Sequence, residues 1–256
     1  NRTLHNTWRR AHLPKLPDDF SARQVSPWLR LLAVVIPDRK IRHLFVDWCS
    51  FVIQFPELKP GFHFLLMGPQ GIGKDLCLEP LITGVGLNNS VTLRPEQISD
   101  SFNSWLEHKL VRVCEMKQTT RGRQTPHDLY NTLKRYLAAP PYHLTVNAKF
   151  QQPRQIPNVA AYVMTSNEED PIPLDDDDRR LAVAKSASVK RDAQFYEDVV
   201  AFLRNGGNQL VASWLASRIL DESTLNCLNG SAPDSEAKRE MRDLTRHPVE
   251  AWIKEK

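Results

Sequence analysis

Short apolar runs alternating with helix-spaced segments predict an α/β fold built on a largely parallel central sheet. Phe62–Met67, Leu110–Cys114 and Val159–Met164 are largely apolar and of strand length, as suits strands covered on both faces. Helix-like apolar spacing recurs before, between and after them. A glycine-rich loop links the first run to a helix-spaced segment, Lys74–Thr83. The 256 residues can bury a sizeable core without disulfides or metals. With 41% hydrophobic and 25% charged residues, the composition excludes wholesale disorder and fibrous repeats.

Residues 1–60 read as a helical N-terminal region punctuated by prolines. Apolar spacing marks helices around Trp28–Ile36 and Ile41–Phe55. Lys59–Gly61 is a turn signal that opens a core spanning 61–190. Pro95–His108 reads as a helix with Phe102 and Trp105 inward, and Pro126–Ala138 as an amphipathic helix stopped by Pro140 and Pro141. Leu144–Ala148 alternates, Lys149–Pro157 is polar, and Val159–Met164 is apolar, which together predict a hairpin with a long tip. Residues 191–256 read as a small C-terminal helical element. Within it, helices over Arg191–Arg204 and Gln209–Leu220 precede a polar, loop-rich stretch over 221–247. No nucleotide contact is assigned in that element.

The net charge of +4 conceals an uneven layout. Residues 1–43 carry nine Lys/Arg against three Asp, and 112–154 carry eight against two acids. Two basic zones fit an anionic partner, or a solvated basic surface. The four cysteines, at 49, 77, 114 and 227, form no CxxC pair, so a reducing cytoplasm is the default. No apolar run is long enough to span a bilayer, so no membrane partner is expected. The chain opens on Asn1 without a secretory signal and reads as a piece of a longer polypeptide. The eight histidines show no metal spacing.

The sharpest motif is Gly68-Pro69-Gln70-Gly71-Ile72-Gly73-Lys74-Asp75, which matches the Walker A pattern GxxxxGK[ST] at all but its last place. Glycines let backbone N–H groups curl around phosphate oxygens, and Lys74 neutralises the outer phosphates. These features call for ATP as ligand, with a glycine-rich turn that binds nothing as the alternative. Asp75 stands where Ser or Thr normally reaches Mg²⁺. A second apolar strand ends in Glu115, as a Walker B strand places a carboxylate beside metal and attacking water. Cys114 occupies the place of the usual first acid. One carboxylate is missing at 114 and one is gained at 75, so Asp75 and Glu115 are the candidate Mg²⁺ ligands. A solvated strand-end acid is the alternative for Glu115.

Further on, Thr165-Ser166-Asn167 follows a strand, and Asp175–Asp178 precedes Arg179 and Arg180. With GPQGIGKD, VRVCEM, Leu133-Lys134, LTVNAK, MTSN and DDRR in this order over roughly 61–185, the chain resembles the superfamily 3 helicase domain of phage and plasmid primase–helicases, the D5-like group of the AAA+ ATPases. The resemblance implies an AAA+ P-loop core. It makes Asn167 the polar sensor of the γ-phosphate, and one of Arg179 and Arg180 a finger that reaches a neighbouring subunit's nucleotide. It also implies a channel hairpin whose Lys149, Phe150 and Arg154 meet single-stranded DNA, with Lys134 a basic position just before it. A homo-oligomer, hexameric in the family, and a primase domain in the same longer polypeptide follow from it, as do replication of a mobile element and a cytoplasmic location. The expected activity is ATP-driven movement on single-stranded DNA. The alternatives are an ATP-dependent assembly switch that does not unwind, and a small-molecule kinase. For Arg179 and Arg180 the alternative role is local pairing with Asp175–Asp178, and for the hairpin it is a solvated loop.

Overall fold

The computed structural model describes residues 8–117 and 125–245. Arg121 and Arg123, two of the basic residues counted within 112–154, lie outside the described residues. The sheet has five strands in the order β2-β3-β6-β1-β7, and every neighbouring pair is parallel. The strands are β1 (His63–Met67), β2 (Ser90–Leu93), β3 (Leu110–Met116), β6 (Ala161–Ser166) and β7 (Leu181–Lys185). This is the parallel α/β class that the apolar runs predict. Successive side chains alternate between faces. Phe64 and Leu66 of β1 therefore enter one core cluster, while Leu65 and Met67 enter the other.

Helices cover both faces. Over Phe64 and Leu66 lie α1 (Ser26–Val35), α2 (Arg39–Gln54), α3 (Glu79–Val85), α5 (Ala193–Phe202) and α6 (Asn208–Ser217). The N-terminal helices and the helices after β7 thus share one core with the sheet. Asp38 caps α2 by accepting from Lys40 and Ile41 N–H groups. Trp28 and Trp48 are fully buried, and their indole N–H groups donate to the Cys77 and Phe62 carbonyls at 2.9 Å each. The first of these bonds fastens α1 beneath the segment that follows the glycine loop.

The opposite face carries α4 (Pro126–Leu137), a two-stranded antiparallel hairpin of β4 (His143–Val146) and β5 (Arg154–Pro157), and Met241 of α8 (Glu236–Thr245). Thr125 and Asp128 form a reciprocal capping box at the start of α4. The hairpin departs from the sequence reading in register. Its return strand is β5, drawn from the stretch read as the tip, while Val159–Met164 continues into the central sheet. Residues 147–153 form the actual turn. The hairpin base is tied down by Asn103 and Asn147, which exchange bonds of 3.0 and 2.6 Å.

Two other expectations are corrected. Pro95–His108 is two 3₁₀ turns, Pro95–Ser99 and Ser104–Glu107, and not a helix. Trp105 is buried there, but Phe102 is 49% exposed, because Asn103 breaks the run to serve the hairpin. The stretch 221–245, read as loop-rich, holds two helices, α7 (Glu222–Asn229) capped by Asp221 and α8 capped by Ser235, joined by a loop over 230–235. Lys59 and Lys109, of which the sequence gives no sign, are drawn inward at the edge of the sheet where β1 begins. Each Nζ donates to three oxygens, Lys59 to Tyr136 O, Asn158 Oδ1 and Ala160 O, and Lys109 to Phe55 O, Leu58 O and Val159 O. Burial pulls both pKa values down to about 7.

Candidate nucleotide site

The chain leaves β1 at Met67 and turns directly into the glycine loop, on the edge of the sheet where parallel strands end. Gly68 is indispensable here, because a Cβ at this position would lie 1.8 Å from Ser186 Oγ. Gly73 has φ +100 and faces Leu31 Cδ1, 2.6 Å from where a Cβ would sit. The segment after the loop corrects one expectation. A 3₁₀ turn (Leu76–Leu78) comes first, and α3 begins only at Glu79. An anion at the loop would therefore meet the loop's own N–H groups and Lys74 rather than the N-terminus of a long helix.

Lys74 is 7% exposed. Its Nζ donates to Gly68 O at 2.5 Å, Pro69 O at 3.0 Å and Asn167 Oδ1 at 2.8 Å. Desolvation lowers its pKa, and the neighbouring Asp75 partly opposes that effect. Lys74 and Asn167 lie 93 residues apart in sequence, and their side chains meet directly.

Glu115 lies near the end of β3, beside Cys114. The β3–β6 pairing shifts register between Val113 and Met116, which marks a bulge. Glu115 takes φ +60, a left-handed conformation that costs a non-glycine residue about 1–3 kcal/mol. The bulge leaves Glu115 exposed in the same cleft as Lys74, Asp75 and Asn167. This cleft measures about 590 Å³ and is also lined by Gln70, Gly71, Gly73, Thr165, Ser166, Arg94 and Tyr196. Burial pushes the Cys114 thiol pKa up, so Cys114 presents a neutral thiol.

Asp75 is held by Arg112 of β3, with Nη2 2.8 Å from Oδ1. Arg112 is a site residue that sequence reasoning passed over; its signal was a charged residue inside an otherwise apolar strand. Asp75 and Glu115 together supply two hard carboxylate donors in the cleft beside the glycine loop. That set fits Mg²⁺, which is commonly held by one or two carboxylates plus substrate phosphates. Arg112 competes for one of them.

Arg179 and Arg180 precede β7. The β1–β7 register pairs His63 with Leu181 and Met67 with Lys185. The arginines therefore sit at the opposite end of the sheet from their own glycine loop, and the structure does not bring them into the cleft. Asp178 is a buried hub that accepts from the Tyr130 hydroxyl, Lys238 Nζ (3.2 Å) and the Arg180 and Leu181 N–H groups. Burial alone would raise its pKa; the Tyr130 hydroxyl and Lys238 outweigh that and hold it low. The Arg180 guanidinium lies 3.6 Å from the same carboxylate. Arg179 is exposed, with no side-chain partner among the described residues.

The DNA candidates separate into two groups. Lys149 and Phe150 form the hairpin tip, with Phe150 94% exposed at φ +63 and Lys149 Nζ 5.0 Å from its ring centroid. Arg154 lies on β5, where Glu107 and Gln151 hold it. Lys134 is paired with Asp175 at 2.6 Å and lies over the Tyr130 ring. Neither Arg154 nor Lys134 is at the tip.

Residues 66–180 match a family model described as a family of unknown function, DUF5906. That stretch runs from β1 to Arg180. The chain is 27% identical over 191 residues to the DNA primase-polymerase of Nitratiruptor phage NrS-1, covering 74% of this chain and 26% of that protein. The solved apo C-terminal region of NrS-1 superposes with a TM-score of 0.74 at 22% identity, covering 94% of this chain and 55% of that one. Its A form gives 0.72 at 23% identity over the same shares. The chain thus spans about a quarter of the phage protein and about half of the solved region. Its fold is that of this C-terminal region, and its sequence is similar to part of a phage DNA primase-polymerase.

Proposed function

We propose that the chain is an ATP-hydrolysing DNA motor module of the superfamily 3 helicase type, acting as a ring-forming homo-oligomer within a longer phage or plasmid replication protein. The observation that carries this reading is the convergence of Lys74, Asp75, Glu115 and Asn167 in one cleft, with Arg179 presented at the opposite end of the sheet. Loop N–H groups and Lys74 bind the triphosphate. Lys74 exchanges its bond to Asn167 for a phosphate oxygen, which frees the Asn167 amide to hold the attacking water. Glu115 takes a proton as the water oxygen bonds to the γ-phosphorus and the bond to the β–γ bridging oxygen breaks, releasing ADP and phosphate. Arg179 of a neighbouring copy neutralises charge on the transferred group. Mg²⁺, held by Asp75 and Glu115, would supply further charge neutralisation. Loss of the γ-phosphate link relaxes the subunit boundary and shifts the Lys149–Phe150 tip along single-stranded DNA. The host or bacterial cytoplasm fits this role, and no helix among the described residues is long and apolar enough to cross a membrane.

A second reading, an ATP-dependent assembly switch without unwinding, is favoured by one observation, the engagement of Asp75 by Arg112. Measuring ATPase rate against protein concentration, with and without single-stranded DNA, separates the two. The motor predicts a rate per subunit that rises with concentration and with DNA. The switch predicts ATP-dependent oligomers with no stimulation by DNA. Lys74→Ala should abolish turnover, and undiminished hydrolysis would remove the phosphate-loop assignment.

A further inference from the structure

The segment after β7 runs back across the glycine loop and meets its glycines in turn. Ser186 faces Gly68; Lys190 Nζ lies 3.0 Å from the Cβ position of Gly71, and Tyr196 Cε1 lies 3.6 Å from that of Gly73. At each place a side chain rests where the loop has only backbone. Tyr196, in the first turn of α5, lines the cleft beside Leu76 and is its only aromatic lining residue among those described. The Tyr196 hydroxyl accepts from the Arg191 N–H at 3.4 Å, which restrains the ring. None of these residues belongs to the motifs that marked the loop, and none falls within 66–180.

A glycine loop grips phosphates through backbone N–H groups, and those contacts cannot distinguish a nucleotide from a bare polyphosphate. Affinity for the base has to come from another part of the site. The loop also carries an acid, Asp75, where its motif calls for a hydroxyl, so anion binding there gains from a second cation. Lys190 lies close enough to Lys74 that its charge contributes to lowering the Lys74 pKa.

We propose that residues 186–196 form the second wall of the nucleotide site, with Lys190 contacting the phosphates and Tyr196 providing the face on which the nucleobase stacks. This rests on the ATP reading given above and assigns the part of the site that the phosphate loop leaves open.

Calorimetric titration of the whole chain with ATP, ADP and inorganic tripolyphosphate tests it. Stacking of a base on an aromatic ring is worth about 1–3 kcal/mol, or roughly 5- to 150-fold in affinity. Tyr196→Ala should lose that factor for ATP and ADP alike and leave tripolyphosphate binding unchanged, while Tyr196→Phe keeps nucleotide affinity. Lys190→Ala should weaken ATP and tripolyphosphate together, by roughly ten-fold, and flatten the salt dependence. If both alanine variants bind ATP as the parent does while Lys74→Ala does not, the strap is overturned and the phosphate loop stands. Equal loss of all three ligands in Tyr196→Ala, with a lowered melting temperature, also overturns it by assigning Tyr196 to packing. If the parent chain binds none of the three ligands, the ATP reading fails and takes the strap with it.

Discussion

Arg179→Ala is the substitution on which the shared-site reading is most exposed. Because the β1–β7 register puts Leu181 beside His63 and Lys185 beside Met67, a strand length separates the arginines from their own loop. At about 3.3 Å per residue, five residues place them roughly 16 Å away, too far for a guanidinium to serve its own site. Any contribution to hydrolysis must come in trans. Loss of such a finger costs on the order of 10³-fold in rate. Arg180 is tied to the buried Asp178, so Arg180→Ala should lower the melting temperature and reduce turnover less than Arg179→Ala does. The assay is phosphate release at saturating ATP from mixtures of Arg179→Ala and Glu115→Gln chains, each nearly inactive alone. An interface is complete when an intact Glu115 faces an intact Arg179. Random assembly at equal amounts makes about one interface in four complete in a head-to-tail ring, whatever the ring size. Activity near a quarter of the parent rate is expected. No recovery at any ratio, or an Arg179→Ala rate equal to the parent's, would refute the reasoning.

Glu115→Gly should raise the unfolding free energy by about 1 kcal/mol by relieving a left-handed φ, while turnover falls to background; Glu115→Gln should lose turnover without the gain in denaturant melts. Lys149→Glu with Phe150→Ala should weaken single-stranded DNA binding and flatten its dependence on salt. Arg154→Glu should have a smaller effect on binding, because Glu107 already neutralises Arg154; equal losses in a fluorescence-anisotropy titration would move the DNA contact from the tip to β5. Lys59 and Lys109 have folded pKa values of about 7 against a reference of 10.5. Between those values the unfolded chain binds more protons, so stability should rise with pH from about 7 upward. The slope is at most about 1.4 kcal/mol per pH unit for each lysine. A flat profile in urea melts between pH 7 and 9 would show that the three oxygens around each Nζ keep the ammonium charged.

What the sequence disclosed follows from how each feature is encoded. The phosphate loop, Glu115 and Asn167 each follow an apolar run, so the end of a buried strand locates them. β7 carries a weak signal because Leu181–Lys185 is short, contains two alanines and abuts the charged run Asp175–Arg180. β2 is only four residues long and mostly half-exposed. The sequence marks a hairpin but not its register, because polar Arg154–Pro157 resembles a loop until it pairs with β4. α7 and α8 leave little trace in the sequence because their buried faces are narrow, Leu228 on one and Met241 with Lys238 on the other. The inward lysines have no local signal at all; carbonyl groups from distant parts of the chain create their sites.

The buried cluster at Asp178 gives the arginine pair a reason to stand where it does. Asp178 joins α4 through Tyr130, α8 through Lys238 and the start of β7 through the Arg180 and Leu181 N–H groups. Both members of the Lys238–Asp178 pair are almost wholly buried, so removing one partner strands a charge and costs about 3–5 kcal/mol. Such a junction resists opening. It fixes the backbone from which Arg179 projects while leaving that side chain exposed. At the other end of β1 and β7, Lys74 is held by Asn167 through a bond that a phosphate oxygen can replace. The two ends therefore differ in kind, one rigid and presenting a cation, the other poised to exchange a partner. In a head-to-tail ring each chain would offer its rigid end to its neighbour's exchangeable one. Hydrolysis would then be sensed at the boundary between copies, and the folded core of each would stay undisturbed.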